Sequence, residues 1–219
     1  MRIATSKQMK EIERRADESG LSYYQMMENA GAAAAEVVKS TENFNEKVIL
    51  ICAGTGNNGG DGYVVARLLK ESGAMTFIMT SDGAPKTDCA LTNFNKARDM
   101  NIEIVQFDPK TSLPLILGAD IIIDAIYGTG FHGELKSEIR AFTKMINESD
   151  AIKIALDLPS GVNADTGDFD PDAVKADTTI AFDSFKPAHM SDKALSHIGR
   201  PILKDIGIPD DCHDITVDR

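Results

Sequence analysis

The chain has 219 residues, 42% of them hydrophobic, and 34 acidic against 23 basic side chains give a net charge of −11. That length suits one domain around one core, and the acidic surplus argues against a nucleic-acid partner, which needs clustered cations to displace counterions. No run approaches the ~18 apolar residues of a membrane span, and the charged, periodic start (Met1–Arg15) lacks a signal-peptide core. Cys52, Cys89 and Cys212 are odd in number and widely spaced, which fits a reducing compartment. The expectation is a cytoplasmic protein with neither a membrane nor a nucleic-acid partner.

In chain order, Thr5 and Gln8 form a capping-box signal for a helix through Ser19, and Ser22 and Gln25 repeat it for a second. Met26, Met27, Ala30, Ala33, Ala34, Val37 and Val38 recur at helical spacing in that second helix. The methionines read as core, with substrate contact as the alternative. Strand and helix then alternate: strand Lys47–Ala53, helix Asp61–Glu71, strand Met75–Thr80, helix Lys86–Met100, strand Ile102–Val105. The pattern continues with strand Ile121–Ala125, helix Glu134–Asn147, strand Ile152–Leu156 and strand Thr178–Phe182. Short edge pieces are expected at Pro201–Ile206 and Ile215–Val217. Parallel strands need crossovers that helices supply, so the alternation predicts a doubly wound α/β domain. No linker or repeat divides it.

Three loops carry the chemistry, and each follows an apolar strand. The first, Gly54–Gly62, reads GTGNNGGDG and satisfies G-x-G-x-x-G. With Asp82 past the second strand as a ribose-binding acid, it alone would suggest an NAD-dependent dehydrogenase. However, Asn57, Asn58 and Asp61 stand where small or apolar residues belong, and a plain turn does not need Gly54, Gly56, Gly59, Gly60 and Gly62 together. The reading is a backbone cradle for phosphate with further polar duties. In the second loop Asp124 ends a strand and precedes Gly128-Thr129-Gly130; in the third, Asp157 precedes Leu158-Pro159-Ser160-Gly161. A lone strand-end Asp is often only a turn former, but three such loops on one sheet edge imply a shared pocket.

His132 lies within the second loop, within reach of a substrate, whereas His189, His197 and His213 have no metal-ligand spacing and read as surface residues or as supports behind the site residues. Ser160 lacks the G-x-S-x-G elbow of a hydrolase. Lys186 follows the Thr178–Phe182 strand and reads as a phosphate ligand or an ordinary surface lysine.

Taken together, Met26–Gly31 (MMENAG), Gly56–Arg67 (GNNGGDGYVVAR), Asp124–Leu135 (DAIYGTGFHGEL), Asp157–Gly167 (DLPSGVNADTG) and Asp177–Pro187 (DTTIAFDSFKP) strongly resemble the YjeF amino-terminal domain family. The motifs run in order from about Ser6 to Pro209. The resemblance implies a Rossmann-like three-layer αβα sandwich with a mostly parallel sheet, often a homodimer. It also implies an NAD(P)H-hydrate epimerase, which interconverts the R and S epimers of NADHX and NADPHX for a separate S-specific dehydratase. Carried over by motif, Asn57, Asn58, Gly59, Gly60 and Asp61, together with Gly128, Thr129, Gly130, Phe131, His132, Gly133 and Glu134, are substrate-contacting, as is Asp157. Asn58, Asp124 and Ser160 are implied ligands of a potassium ion, K+, which agrees with the preference of a hard cation for oxygen. The FDSFKP segment departs from the shorter apolar-Pro-Lys pattern of many members, which leaves the role of Lys186 open.

The expected chemistry is proton exchange at a hydroxylated carbon beside the ring nitrogen, with Asp157 the catalytic acid/base and Asp124 the ion holder or next candidate. The competing expectation is a non-catalytic Rossmann-like dimerisation scaffold.

Overall fold

The first helix begins where its capping residues predict. Thr5 Oγ1 accepts the Gln8 N–H at 3.2 Å, and Gln8 Oε1 accepts the Thr5 N–H at 2.8 Å, starting α1 (Ser6–Glu18). Ser22 likewise accepts the Gln25 N–H at 3.1 Å to start α2 (Tyr23–Lys39). Both caps satisfy amides that the first helical turn leaves without partners. The computed structural model describes residues 2–81 and 83–214. Asp82 and the edge piece expected at Ile215–Val217 lie outside the described residues.

Seven parallel strands form one sheet: β1 (Val48–Ala53), β2 (Met75–Thr80), β3 (Glu103–Gln106), β4 (Ile121–Ala125), β5 (Ile152–Leu156), β6 (Thr178–Phe182) and β7 (Arg200–Lys204). Their order is β3-β2-β1-β4-β5-β6-β7. Helices α3 (Asn57–Glu71), α4 (Asp88–Asp99), α5 (Leu113–Leu117), α6 (Ser137–Glu148) and α7 (Leu195–Ile198) lie between the strands in the chain. This is the Rossmann-like αβα sandwich that the alternation and the resemblance imply.

Successive strand residues serve opposite faces. Ile49, Ile51, Ile121 and Ile123 pack with α1, α2, α3 and α4, whereas Leu50, Cys52 and Ile122 pack with α5 and α6. Both faces are covered, so the strands are apolar throughout rather than alternating.

Four elements differ most from expectation. Helix α3 starts at Asn57 instead of Asp61, so the Asn-Asn-Gly-Gly run forms its first turn. The piece expected at Pro201–Ile206 is a complete parallel strand, paired with β6 from Thr178↔Arg200 to Phe182↔Lys204. The short α5 and α7 were not expected, because helices of five and four residues carry no periodicity to read. Among the described residues no helix is long and apolar enough to cross a membrane.

The topology positions the site. After β1 the chain builds β2 and β3 to one side, then returns to place β4 against β1. That reversal opens a crevice at the strand carboxyl ends. There Gly54 N–H donates to Ala125 O at 2.9 Å, and a Cβ on Gly54 would lie 1.9 Å from the Ile126 carbonyl oxygen. Only glycine permits that approach of the first two loops.

Candidate active site

A cleft of about 680 Å³ occupies this edge. Its walls are one face of α1, the start of α2, the first turn of α3, the loop after β4, Asp157 after β5 and Lys186 after β6.

Asp157 sits at the centre. It is a buried non-glycine residue in the left-handed region, φ +61°, a conformation held only where surrounding bonds enforce it. Its N–H continues the sheet by donating to Ile180 O at 2.8 Å. One carboxylate oxygen accepts the Thr129 N–H at 2.7 Å, and the other lies 2.7 Å from Lys186 Nζ. Burial pushes the Asp157 carboxyl up, but the Lys186 ammonium and the Thr129 amide outweigh burial and hold it below the usual carboxylate range. Asp157 is therefore a carboxylate at neutral pH.

Lys186 is only 2% exposed, and its ammonium also donates to Phe182 O at 3.2 Å. The reading of Lys186 as an ordinary surface lysine is corrected: it is buried, and its charge is engaged by Asp157 within the cleft. His189 fastens both partners through their backbones. Its Nδ1 accepts the Lys186 N–H at 2.9 Å, and its Nε2–H donates to Asp157 O at 2.8 Å. Only the neutral imidazole can accept at one nitrogen and donate at the other. Burial, reinforced by the Lys186 charge, lowers the His189 pKa to about 4.

Two further carboxyls line the cleft. Burial and the negative charges of Asp157 and Glu13 hold Asp61 well above the usual range. Glu13, on α1, is raised to about 7, chiefly by burial, with Lys186 opposing and Asp157 adding to the rise. The site thus holds one committed carboxylate beside two acids that bind their protons more tightly than usual, a separation that suits acid–base chemistry.

Beneath lies the proposed ion set. Asp124 is fully buried; Ser160 Oγ donates to it at 2.6 Å and Ser160 N–H at 2.7 Å. Ser160 Oγ in turn accepts the Tyr127 N–H at 2.8 Å. Asn58 reaches the adjoining loop: a Cβ on Gly128 would lie 3.3 Å from Asn58 Cγ and 2.7 Å from Asp157 Oδ2. Both polar atoms of the Asn58 amide are buried without a hydrogen-bond partner. Such an orphaned amide calls for a ligand or ion. Among the described residues no group of three or more His, Cys, Asp or Glu is placed to hold a metal; this set contains only one carboxylate, suited to a weakly charged cation.

Of the substrate residues implied by the motifs, Asn57, Asn58, Asp61, Gly128, Thr129, Gly130 and Asp157 line the cleft. Gly59 and Gly60 do not. A Cβ on Gly59 would lie 2.0 Å from Gly54 O, and one on Gly60 2.5 Å from the Met27 side chain, so they make room for the protein's own packing. Phe131 is buried and stacked on Tyr127, while His132, Gly133 and Glu134 are exposed outside the cleft. His132 pairs with Asn163 at 3.0 Å. Met26 and Met27 serve both readings offered for them, being buried and also lining the cleft.

Sequence reasoning missed Glu13 and Lys10, whereas of the two readings given for His189 the supporting one holds. Ser6, Met9, Lys10 and Glu13 fall at helical spacing on one face of α1, a signal that was present but reads equally as a solvated face. The tie of His189 to Asp157 had no local signal, since that partner lies 32 positions away.

Comparison with known proteins agrees with this geometry. The chain spans 42% of the length of a curated bifunctional NAD(P)H-hydrate repair enzyme from Archaeoglobus fulgidus, to which it is 41% identical over 96% of its own residues. It is 36% identical to an NAD(P)H-hydrate epimerase from Elusimicrobium minutum, covering 95% of this chain and 97% of that one. An NAD(P)H-hydrate epimerase from Nitrosopumilus maritimus is 34% identical, with coverages of 94% and 95%. The crystal structure of the yeast protein ynu0 shares the fold, with a TM-score of 0.82 at 23% identity over 97% of this chain and 92% of that one. Residues 23–188 match the family described as YjeF-related protein N-terminus. On that match and these identities, the chain belongs to the YjeF-related N-terminal family.

Proposed function

We propose that this protein is an NAD(P)H-hydrate epimerase that interconverts the R and S epimers of NADHX and NADPHX. The observation that carries the reading is the Asp157–Lys186 pair, 2.7 Å apart in a strand-end cleft that also holds Asp61 and Glu13. The relatives named as epimerases, matched over nearly their full length, support it.

The substrate carries a hydroxyl on the carbon beside the ring nitrogen. Loss of that hydroxyl as water leaves an iminium, and return of water to the other face inverts the centre. An acid must protonate the departing oxygen, and a base must take a proton from the returning water. The Asp157 carboxylate is the base, kept ionised by Lys186. Negative charge beside the ring also stabilises the cation, as carboxylates do beside a glycosyl cation. The first turn of α3 offers its free amides to the substrate's phosphates.

Potassium fits the residues present: Asn58 Oδ1 lacks a partner, and Asp124 and Ser160 add oxygen ligands. When bound there, it would supply a fixed positive charge at the strand ends. The reading includes a separate S-specific dehydratase as functional partner and a homodimer, for which light scattering should return twice the 23.7 kDa chain mass.

The test is incubation with mixed NADHX epimers and an S-specific dehydratase. The protein should accelerate consumption of the R epimer. A rate equal to that with dehydratase alone would favour the scaffold reading.

A further inference from the structure

We propose that Glu13, carried by the N-terminal helix, is the catalytic residue that protonates the departing hydroxyl. The inference rests on the epimerase reading above and completes its proton inventory.

The helix is docked for that task. Ser6 N–H donates to Asp165 at 2.7 Å, Ala4 N–H donates to Phe185 O at 2.8 Å, and Phe185 N–H donates to Arg2 O at 3.0 Å. The first bond ties the start of α1 to the loop after β5, and the other two tie the residues before the helix to the segment that carries Lys186. They turn Ser6, Met9, Lys10 and Glu13 toward the cleft. The other acids of α1 behave differently: Glu11 is held by Arg14 and Arg15, Glu18 by Arg14, and Asp17 accepts the Tyr23 N–H at 3.2 Å. Glu13 makes no hydrogen bond or ion pair among the described residues. An unpaired, half-buried carboxyl inside a cleft has no structural task to explain it.

The groups facing Glu13 are Lys10 on its own helix, Tyr23 on α2, Asp61 on α3, Asp157 after β5, and Asp183 and Lys186 after β6. Burial and the acids among them raise Glu13 to about 7, so much of it is protonated near neutral pH. Asp157 is ionised by Lys186 and cannot donate.

The step balances without a further reactant. The Glu13 O–H proton passes to the hydroxyl oxygen, the C–O bond breaks with its electron pair leaving as water, and the ring-nitrogen lone pair forms the C=N bond. Water then adds to the opposite face, the C=N pair returns to nitrogen, and the surplus proton passes to Asp157. One proton has left Glu13 and one has reached Asp157; exchange with solvent restores both.

Epimer exchange followed by NMR at saturating NADHX, from about pH 5 to 9, tests the assignment. The native rate should fall above about pH 7 as Glu13 ionises. Glu13→Gln should lower kcat by ~10²–10⁴-fold, abolish that basic limb and leave substrate affinity nearly unchanged. Glu13→Asp should recover part of the rate, with circular dichroism verifying the fold of each variant. Carbon-13 titration of the Glu13 carboxyl should give a pKa near 7 without any turnover. Native kcat and pH profile in Glu13→Gln, or titration at the ordinary glutamate value of 4.5, would overturn this assignment alone. Absence of exchange by the native chain would overturn the epimerase reading and this proposal together.

Discussion

Asp157 combines a strand-end position, a left-handed backbone and an ion pair, and these properties depend on one another. Lys186 and His189 supply the bonds that hold the strained residue in place. Asp157→Asn keeps the shape but removes the proposed base, so on the epimerase reading turnover should fall by ~10²–10⁴-fold while nucleotide binding persists, measured as kcat against Kd. Lys186→Met leaves a buried charge uncompensated and should destabilise the fold by ~3–5 kcal/mol in urea denaturation. Adding Asp157→Asn to that variant should restore part of the loss, since the buried charge is then gone; a purely additive double variant would exclude the coupling.

His189 makes a separate prediction. Its pKa falls from 6.5 to about 4 in the folded protein. The unfolded chain therefore binds more protons in that interval, so the stabilisation is complete above pH 6.5 and is lost as the pH falls through about 4. The loss is on the order of 3 kcal/mol. His189→Phe should lack this acid-sensitive component in unfolding measured stepwise from neutral to acid pH.

At the level of elements, the glycines of α3 separate packing from ligand contact. A side chain on Gly59 meets the Gly54 backbone at 2.0 Å, which cannot yield without moving β1 relative to α3. Gly59→Ala should therefore cost at least ~1–3 kcal/mol. Gly60 meets the flexible end of Met27, so Gly60→Ala should cost less. Gly56 has open space around it and an extended backbone, so Gly56→Ala should fold normally. Urea midpoints rank the three, and equal midpoints would refute the packing role. The motif spelled out all three glycines, but nothing local distinguished one facing a ligand from one facing another strand. Similarly, the Asn57–Asp61 segment was legible as a functional turn, while its helical state was not, because two glycines depress helix propensity and only packing against β1 and α2 restores it.

For the whole molecule, the proposed ion site joins residues from all three loops. A ligand bound only by the folded state stabilises it by RT ln(1 + [L]/Kd), about 2.7 kcal/mol at a hundredfold excess over Kd. Potassium should thus raise the melting temperature relative to tetramethylammonium at equal ionic strength. Asn58→Leu, which removes the orphaned amide, should abolish the difference while remaining folded. An equal shift in that variant would place the ion elsewhere.

The sequence by itself determined what depends on near neighbours: the helix caps at Thr5 and Ser22, the apolar runs of six of the seven strands, and the acids at Asp124 and Asp157 that end two of them. Periodicity and capping are properties of a few consecutive residues, so they survive without knowledge of the fold. Only the tertiary structure decided that β4 returns to lie against β1, that Lys186 faces Asp157 rather than solvent, and that α1 turns Glu13 into the same cleft. Each of those outcomes joins residues far apart in the chain. Their bonds form only once burial of the two sheet faces has offset the entropy of closing the intervening loops.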